Sequence, residues 1–180
     1  MIRLCSNSQT RAMLLANHDI EFVQNGVDFD EDKIVASSPK NFVYQATIGK
    51  YKVAKESFGL KLPILVADTV VTSGGHILRK AKDKDDAKRI LELQSGSITS
   101  IITCTIFEKE DLFFLDISST DYLFEKFDEK KLEDYLDSDE WKGKAGACMV
   151  EGFCKDFIKE VRGLESNAMG LPVEKFREFI

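Results

Sequence analysis

The chain has 180 residues, 43% of them hydrophobic and 31% charged, enough for one domain with a substantial core and ordinary for a soluble globular protein. A formal net charge of −6 argues against sequence-independent binding to a nucleic-acid polymer, yet leaves room for a phosphate-bearing small molecule in a locally basic pocket. No apolar stretch approaches a membrane span and MIRLCSNSQTR lacks an apolar signal core, so a cytoplasmic protein without membrane contact is expected.

MIRLCS predicts a short first strand, and SQTRAMLLANHD a helix with Ser8 as N-cap and Met13, Leu14 and Leu15 on its apolar face. IEFVQNGVDF predicts the next strand and EDKIVASSP a loop. KNFVYQATIGKYKVAKESFG is a long helical pattern. Phe42, Val43 and Ala46 start its apolar face, Gly49 and Lys50 interrupt it, Val53 and Ala54 resume it, and Gly59 ends the helix. LPILVADTVV is a strong strand, followed by a hairpin on Gly74-Gly75.

KDKDDAKRILELQSG predicts an amphipathic helix with Ala87, Ile90, Leu91 and Leu93 inward. Residues 97–127 are β-rich and predict two strands about a turn at Glu108 to Asp111. DEKKLEDYLDS returns to helix, and GKAGACMVEGF is too rich in small residues for a routine one. CKDFIKEVRG reads as a strand, LESNAMGLP as a loop, and PVEKFREFI as a terminal helix with Pro172 near its first turn. Alternating strands and helices that give way to consecutive strands predict an α/β protein with a mixed sheet.

Several polar groups stand where chemistry is commonly done. In CSNSQTR, Ser6, Ser8 and Arg11 beside a helix N-terminus suit a phosphate, although a serine cap with a solvated arginine is the commoner arrangement. Asp68 ends an apolar strand, where ligands collect in α/β folds. It suits a divalent cation or the deprotonation of water, and equally an Asx-turn before the hairpin. Lys80 puts a positive charge close by in sequence, but it opens a run with Lys82 and Lys84 of the kind that usually forms a solvated face. Lys52 shares that ambiguity. Helical spacing turns Lys50 towards the apolar face, where a charge needs a partner. DFDED, Asp28 to Asp32, offers metal oxygens or simply an exposed acidic loop. The small residues of GKAGACMVEG allow close backbone approach, with Glu151 following. Cys5, Cys104, Cys148 and Cys154 form no CxxC pair, and only His18 and His76 accompany them, so free thiols rather than a zinc site are expected.

LCSNSQTR, ADTVV…GGHILRKAKDKDDAKRILELQSG, KAGACMVEG and SNAMGLPVE, in that order, resemble the motifs of the Maf family of nucleoside triphosphate pyrophosphatases, the septum-formation inhibitor proteins. The likeness spans essentially the whole chain. It implies a single domain over residues 1–180, built on a mixed, elongated, twisted sheet flanked by helices, with a nucleotide cleft between two lobes. It also implies hydrolysis of a nucleoside triphosphate to the monophosphate and diphosphate. By resemblance Asp68 is the base and metal-linked carboxylate, and Lys80 the lysine of the G-K-P motif. Lys50 is the helix lysine, with Lys52 as the fallback, and Glu31 the acidic residue after the second strand. Asp68 and Glu31 would hold Mg²⁺, or alternatively Mn²⁺. Ser6, Ser8 and Arg11 would bind phosphates, while Thr10, Thr69 and Glu151 would face the base.

The motifs are altered at identifiable places. Gln9 and Thr10 replace the proline and first arginine of the N-terminal motif, Arg79 and Ala81 flank the G-K-P lysine, and Cys148 stands where an aromatic is usual. Glu151 resembles the 7-methyl-GTP branch and Thr69 the dTTP/UTP branch, so either base class is implied. A nucleotide-binding regulator of cell division or septum formation with little catalysis is the alternative function. The reading accommodates a homodimer.

Overall fold

The computed structural model describes residues 1–180 apart from Met149 and Glu151. The strands are β1 (Ile2–Leu4), β2 (Phe22–Gln24), β3 (Ile64–Ser73), β4 (His76–Leu78), β5 (Ile98–Lys109), β6 (Leu112–Phe124) and β7 (Ile158–Arg162). The helices are α1 (Gln9–Asn17), α2 (Pro39–Phe58), α3 (Lys84–Gln94), α4 (Glu129–Asp137) and the single turn α5 (Glu165–Ala168). All seven strands form one mixed sheet in the order β2-β1-β3-β5-β6-β7, with β4 paired to β3. The α/β mixed sheet expected from the alternation of elements is therefore present. None of the described helices is long and apolar enough to cross a membrane.

The chain divides into two compact units. The first comprises Met1–Thr69, Ile102–Ser119 and Leu164–Ile180. In it β1 runs parallel to β2 and to β3, with Leu4 opposite both Gln24 and Leu65. Successive side chains of β3 point to opposite faces. Leu65 and Ala67 join Ile2, Leu4, Leu14 and Leu15, with Leu171, Val173 and Phe176 of the C-terminal segment completing that core. Ile64 and Val66 face the other way and pack with Cys5 and Ala54 of α2. Both rows of β3 are thus buried, which is why LPILVA is a continuous apolar run rather than an alternating one.

The second unit comprises Val70–Ile101 and Thr120–Gly163. Its hairpin pairs Val71 with Leu78 and Ser73 with His76, turning on Gly74 and Gly75, both at positive φ. Such a two-residue turn matches the twist of the strands and requires residues free of a Cβ penalty. Strands β6 and β7 pair antiparallel, Asp121 opposite Arg162. Rings of Phe127, Tyr135, Phe153 and Phe157 pack together, with the Tyr135 and Phe153 rings stacked at 4.5 Å.

The structure corrects several local expectations. On α3 the buried residues are Ala87, Ile90, Leu91 and Gln94, while Leu93 is 43% exposed. Leu93 lies two positions from Leu91, on the far side of the helix. Gln94 takes the inward place because its amide donates to the carbonyls of Ile90 and Gly146. Met13 is likewise exposed, with Leu14 and Leu15 carrying the burial of α1. Residues Phe153–Phe157 form a 3-10 turn, so only the second half of the expected last strand is β7. The expected loop after it contains α5. The terminal segment makes two 3-10 turns, Val173–Lys175 and Arg177–Phe179, instead of an α-helix. Val173 and Phe176, both fully buried, are three apart and so share one face of a three-residue turn. Cys5 and Cys104 are free and buried, as expected, with burial pushing each thiol up to about 11. Cys148 and Cys154 are joined by a disulfide, against the expectation of free thiols. Consecutive positive-φ residues, Gly146 and Ala147, and the 3-10 turn at Phe153 bring their Cα atoms to 6.1 Å, within disulfide reach.

Candidate functional site

Asp68 extends the Ile64–Val66 row of β3, so it faces α2. Lys50 stands one helical turn before Ala54 on the same side of α2 and meets it there, Nζ donating to Asp68 Oδ1 at 3.0 Å. The same ammonium donates to Glu31 Oε1 at 2.6 Å. Glu31 opens a 3-10 turn, Glu31–Lys33, whose cap is the Asp30 side chain accepting from the Asp32 amide. Gly49 allows this meeting. The Phe29 ring lies so close to α2 that a Cβ at position 49 would come within 2.3 Å of it. The break in the apolar face of α2 is therefore where the acidic segment docks. Lys50 and Asp68 side chains are 18% and 13% exposed and Glu31 40%, so the ammonium sits largely out of water between two carboxylates. Lys52 is exposed, on the rim of a separate surface cavity with Phe29 and Tyr44.

Thr69 extends the other row, Leu65–Ala67, and so faces α1. Arg11 stands one turn before Leu14 and Leu15, the residues that bury α1. Its guanidinium is fixed in three directions, Nε to the Gly170 carbonyl at 2.8 Å, Nη1 to Ser6 Oγ at 3.0 Å and Nη2 to Thr69 Oγ1 at 3.0 Å. Burial pushes the Arg11 pKa down, and the charges of Asp68 and Glu31 oppose that shift. Ser8 caps α1, its hydroxyl accepting from the Arg11 amide, and Ser6 Oγ accepts from the Ser8 amide. The Gln24 amide ties the turn to β2 through the Ser6 carbonyl at 2.8 Å. Every side chain in these two clusters belongs to the first unit.

Gly170 closes this arrangement. Its φ is +95°, and an added Cβ would lie 3.2 Å from Thr69 Oγ1 and 3.4 Å from Arg11 Nε. Gly170→Ala is expected to lower stability by about 1–2 kcal/mol through backbone strain, and to raise KM for substrate by displacing Arg11. Thermal melts and initial rates check both, and a variant with wild-type melting and KM would refute them.

The sequence profile of the Maf-like protein family matches residues 1–180. The chain belongs to this family. A protein of Nitratiruptor named nucleoside triphosphate pyrophosphatase is 53% identical over 180 residues, covering 99% of this chain and 97% of its own. Proteins of the same name from Helicobacter pylori and Campylobacter jejuni are 39% identical over 171 residues and 35% identical over 183. The Helicobacter match covers 95% of this chain and 90% of that protein, and the Campylobacter match the whole of both.

Thr10 is exposed on the first turn of α1. Lys80 belongs to the second unit, where it forms an antiparallel bridge to Ala145. Its side chain lines a surface cavity with His76, Arg79, Lys82 and Arg89. Glu151 lies outside the described residues. Glu31 and Asp68 share the Lys50 ammonium and each keeps a second carboxylate oxygen, a hard donor of the kind that suits Mg²⁺, an ion usually held by one or two carboxylates, waters and substrate phosphates. No group of three or more His, Cys, Asp or Glu among the described residues is placed to hold a metal. Sequence reasoning passed over Thr103 and the Asn167 and Gly170 carbonyls. A visible signal was the fully buried threonines in the apolar strand ITSIITCTIF.

Proposed function

We infer that the chain is a nucleoside triphosphate pyrophosphatase, hydrolysing NTP to NMP and diphosphate as one domain spanning residues 1–180. The observation that carries this reading is the Lys50 ammonium held between Glu31 and Asp68, which lies midway along β3 rather than at its end. The names of the full-length relatives support it. We place the reaction in the cytoplasm, where nucleoside triphosphates are held.

A triphosphate repels an incoming nucleophile, so the site must supply positive charge and a base together. Glu31 and Asp68 would hold a divalent cation, Mg²⁺ by donor type, which would offset phosphate charge and acidify bound water. Asp68 Oδ1 is engaged by Lys50, and Oδ2 takes the proton of the water attacking the α-phosphorus. Lys50 keeps that carboxylate ionised and aimed. Arg11, the Ser6 and Ser8 hydroxyls and the α1 amides seat phosphate oxygens. By its motif position, Lys80 is the further candidate for a cationic contact to phosphate. Thr10, Thr69 and Glu151 are the candidate base-reading residues by their motif positions.

A radiolabelled substrate tests the reaction type. Label at the α-phosphate should appear in NMP with release of diphosphate, whereas stepwise release of orthophosphate would refute the reading. Base choice is tested at Glu151. A carboxylate offers acceptors only and suits the N–H edge of a guanine-type base, where glutamine also donates. Glu151→Gln should shift kcat/KM from 7-methyl-GTP towards dTTP and UTP by about tenfold to a hundredfold. An unchanged ranking would remove Glu151 from base reading.

A further inference from the structure

Thr103 lies on β5, fully buried, in a position that no motif identified. Its hydroxyl donates to the Asn167 carbonyl at 2.9 Å, and its oxygen is 2.9 Å from Thr69 Oγ1. The direction of the second bond follows from the first. A hydroxyl has a single hydrogen, and a carbonyl cannot donate. Thr103 has given its hydrogen to Asn167, so Thr69 must be the donor to Thr103. Thr69 in turn accepts from Arg11 Nη2 at 3.0 Å. The chain therefore has one sense: Arg11 N–H to Thr69, Thr69 O–H to Thr103, Thr103 O–H to the carbonyl of Asn167.

This polarity limits what Thr69 can do for a ligand. Its one hydrogen is engaged inside the protein, and only a lone pair remains. Thr69 is half-buried, while Thr103 behind it is sealed from water. Arg11 retains N–H donors beyond its three bonds. A ligand here must bring a donor to Thr69 and acceptors to Arg11.

Resting on the pyrophosphatase reading and on Thr69 facing the base, we propose that Thr103 is a positioning residue. It fixes Thr69 as an acceptor and so selects nucleotides whose base carries a hydrogen on the Watson–Crick ring nitrogen. Uracil, thymine and guanine have that N–H. Cytosine and adenine present a bare ring nitrogen there, whose lone pair meets the Thr69 lone pair. The selection favours both base classes that Thr69 and Glu151 separately suggest and disfavours the two amidine-type bases. The buried carbonyl of Asn167 is the anchor, because a second hydroxyl in its place would leave the polarity free to reverse.

The test compares UTP with CTP and GTP with ATP, pairs that differ in the protonation of that ring nitrogen and the adjacent exocyclic group. Wild-type kcat/KM is expected to favour UTP and GTP by about ten- to a hundredfold, the usual consequence of a mispaired polar group in a closed site. Thr103→Val keeps shape but removes the acceptor, so the Thr69 hydrogen can turn outward and donate. Its UTP/CTP ratio should fall to within about threefold, chiefly through KM, while Thr103→Ser restores the wild-type ratio. A merely structural role would slow all four substrates alike and leave the ratios unchanged, which would overturn the proposal. Should Thr103→Val not fold, Thr69→Val removes the same lone pair, and retained UTP/CTP discrimination in that variant would overturn it equally. Equilibrium binding of the α,β-methylene analogues of UTP and CTP separates this proposal from the reaction itself. Selective binding without turnover would sink the pyrophosphatase reading alone, and turnover without selectivity would sink the polarity argument alone.

Discussion

Asp68→Asn is expected to reduce the rate of diphosphate release by about 10³-fold or more while leaving the fold intact, because a positioned general base alone contributes about 10²–10⁴-fold and this carboxylate is also assigned to the metal. The size of the side chain is unchanged, and the new amide oxygen can still accept from Lys50, which keeps its 2.6 Å bond to Glu31. Replacing the ion pair by an ammonium–amide hydrogen bond costs about 1 kcal/mol, which the melting curve of a chain this size registers as a few degrees at most. The two readouts therefore separate. A folded variant with near wild-type turnover would take Asp68 out of the chemistry and leave it as the mid-strand ion-pair partner of Lys50, since β3 runs on to Ser73 and Asp68 is not the turn residue its sequence position allowed.

The route from sequence to that carboxylate was short because strand geometry is local. A continuous apolar run ending in Asp-Thr puts the two side chains on opposite faces whatever the rest of the fold does. Knowing that α1 covers one face and α2 the other then assigns Thr69 to Arg11 and Asp68 to Lys50. Helical spacing favoured Lys50 for the same reason, since it shares a face with Ala54, while the shifted motif register kept Lys52 as the fallback. The reach of Glu31 was less legible. It depends on the Phe29 ring seating against Gly49, a contact between segments twenty residues apart.

What could not be read was set by pairing across the sheet and by short turns. Thr103 meets Thr69 across β5 and β3, and periodicity carries no information about register between strands. The last residues look equally good at a period of 3.6 or 3.0 over so few positions, and the burial of Val173 and Phe176 decides for the tighter turn. Leu93 and Gln94 were inverted because hydrophobicity ranks leucine inside. The hydrogen bonds that the Gln94 amide donates to the carbonyls of Ile90 and Gly146 outweigh that ranking. The Cys148–Cys154 pairing rests on the left-handed backbone at Ala147, a conformation a non-glycine residue rarely announces.

Arg11→Ala should be costly twice over. Arg11 links three separated stretches of the first unit, the Ser6 turn, Thr69 in the middle of β3 and the Gly170 carbonyl before the C-terminal segment. Each acceptor stranded without a donor costs about 1–3 kcal/mol, and the two hydroxyls recover part of that by turning to other partners. The Gly170 carbonyl cannot turn, so a net loss of about 2–3 kcal/mol is expected, or about 4–12 °C in Tm for a chain of this length. Catalysis should fall by about 10²-fold or more in kcat/KM, as a lost charge contact to the transition state does. Arg11→Lys separates the two effects. Lysine restores the charge but not the planar fork, so it cannot serve the Gly170 carbonyl, Ser6 and Thr69 at once. Part of the rate should return while the melting temperature stays low. If the alanine variant melts with the wild type, the three hydrogen bonds do not hold these segments together. If lysine recovers stability and rate in equal measure, charge alone explains Arg11, and the fixed geometry around Thr69 has no part in its function.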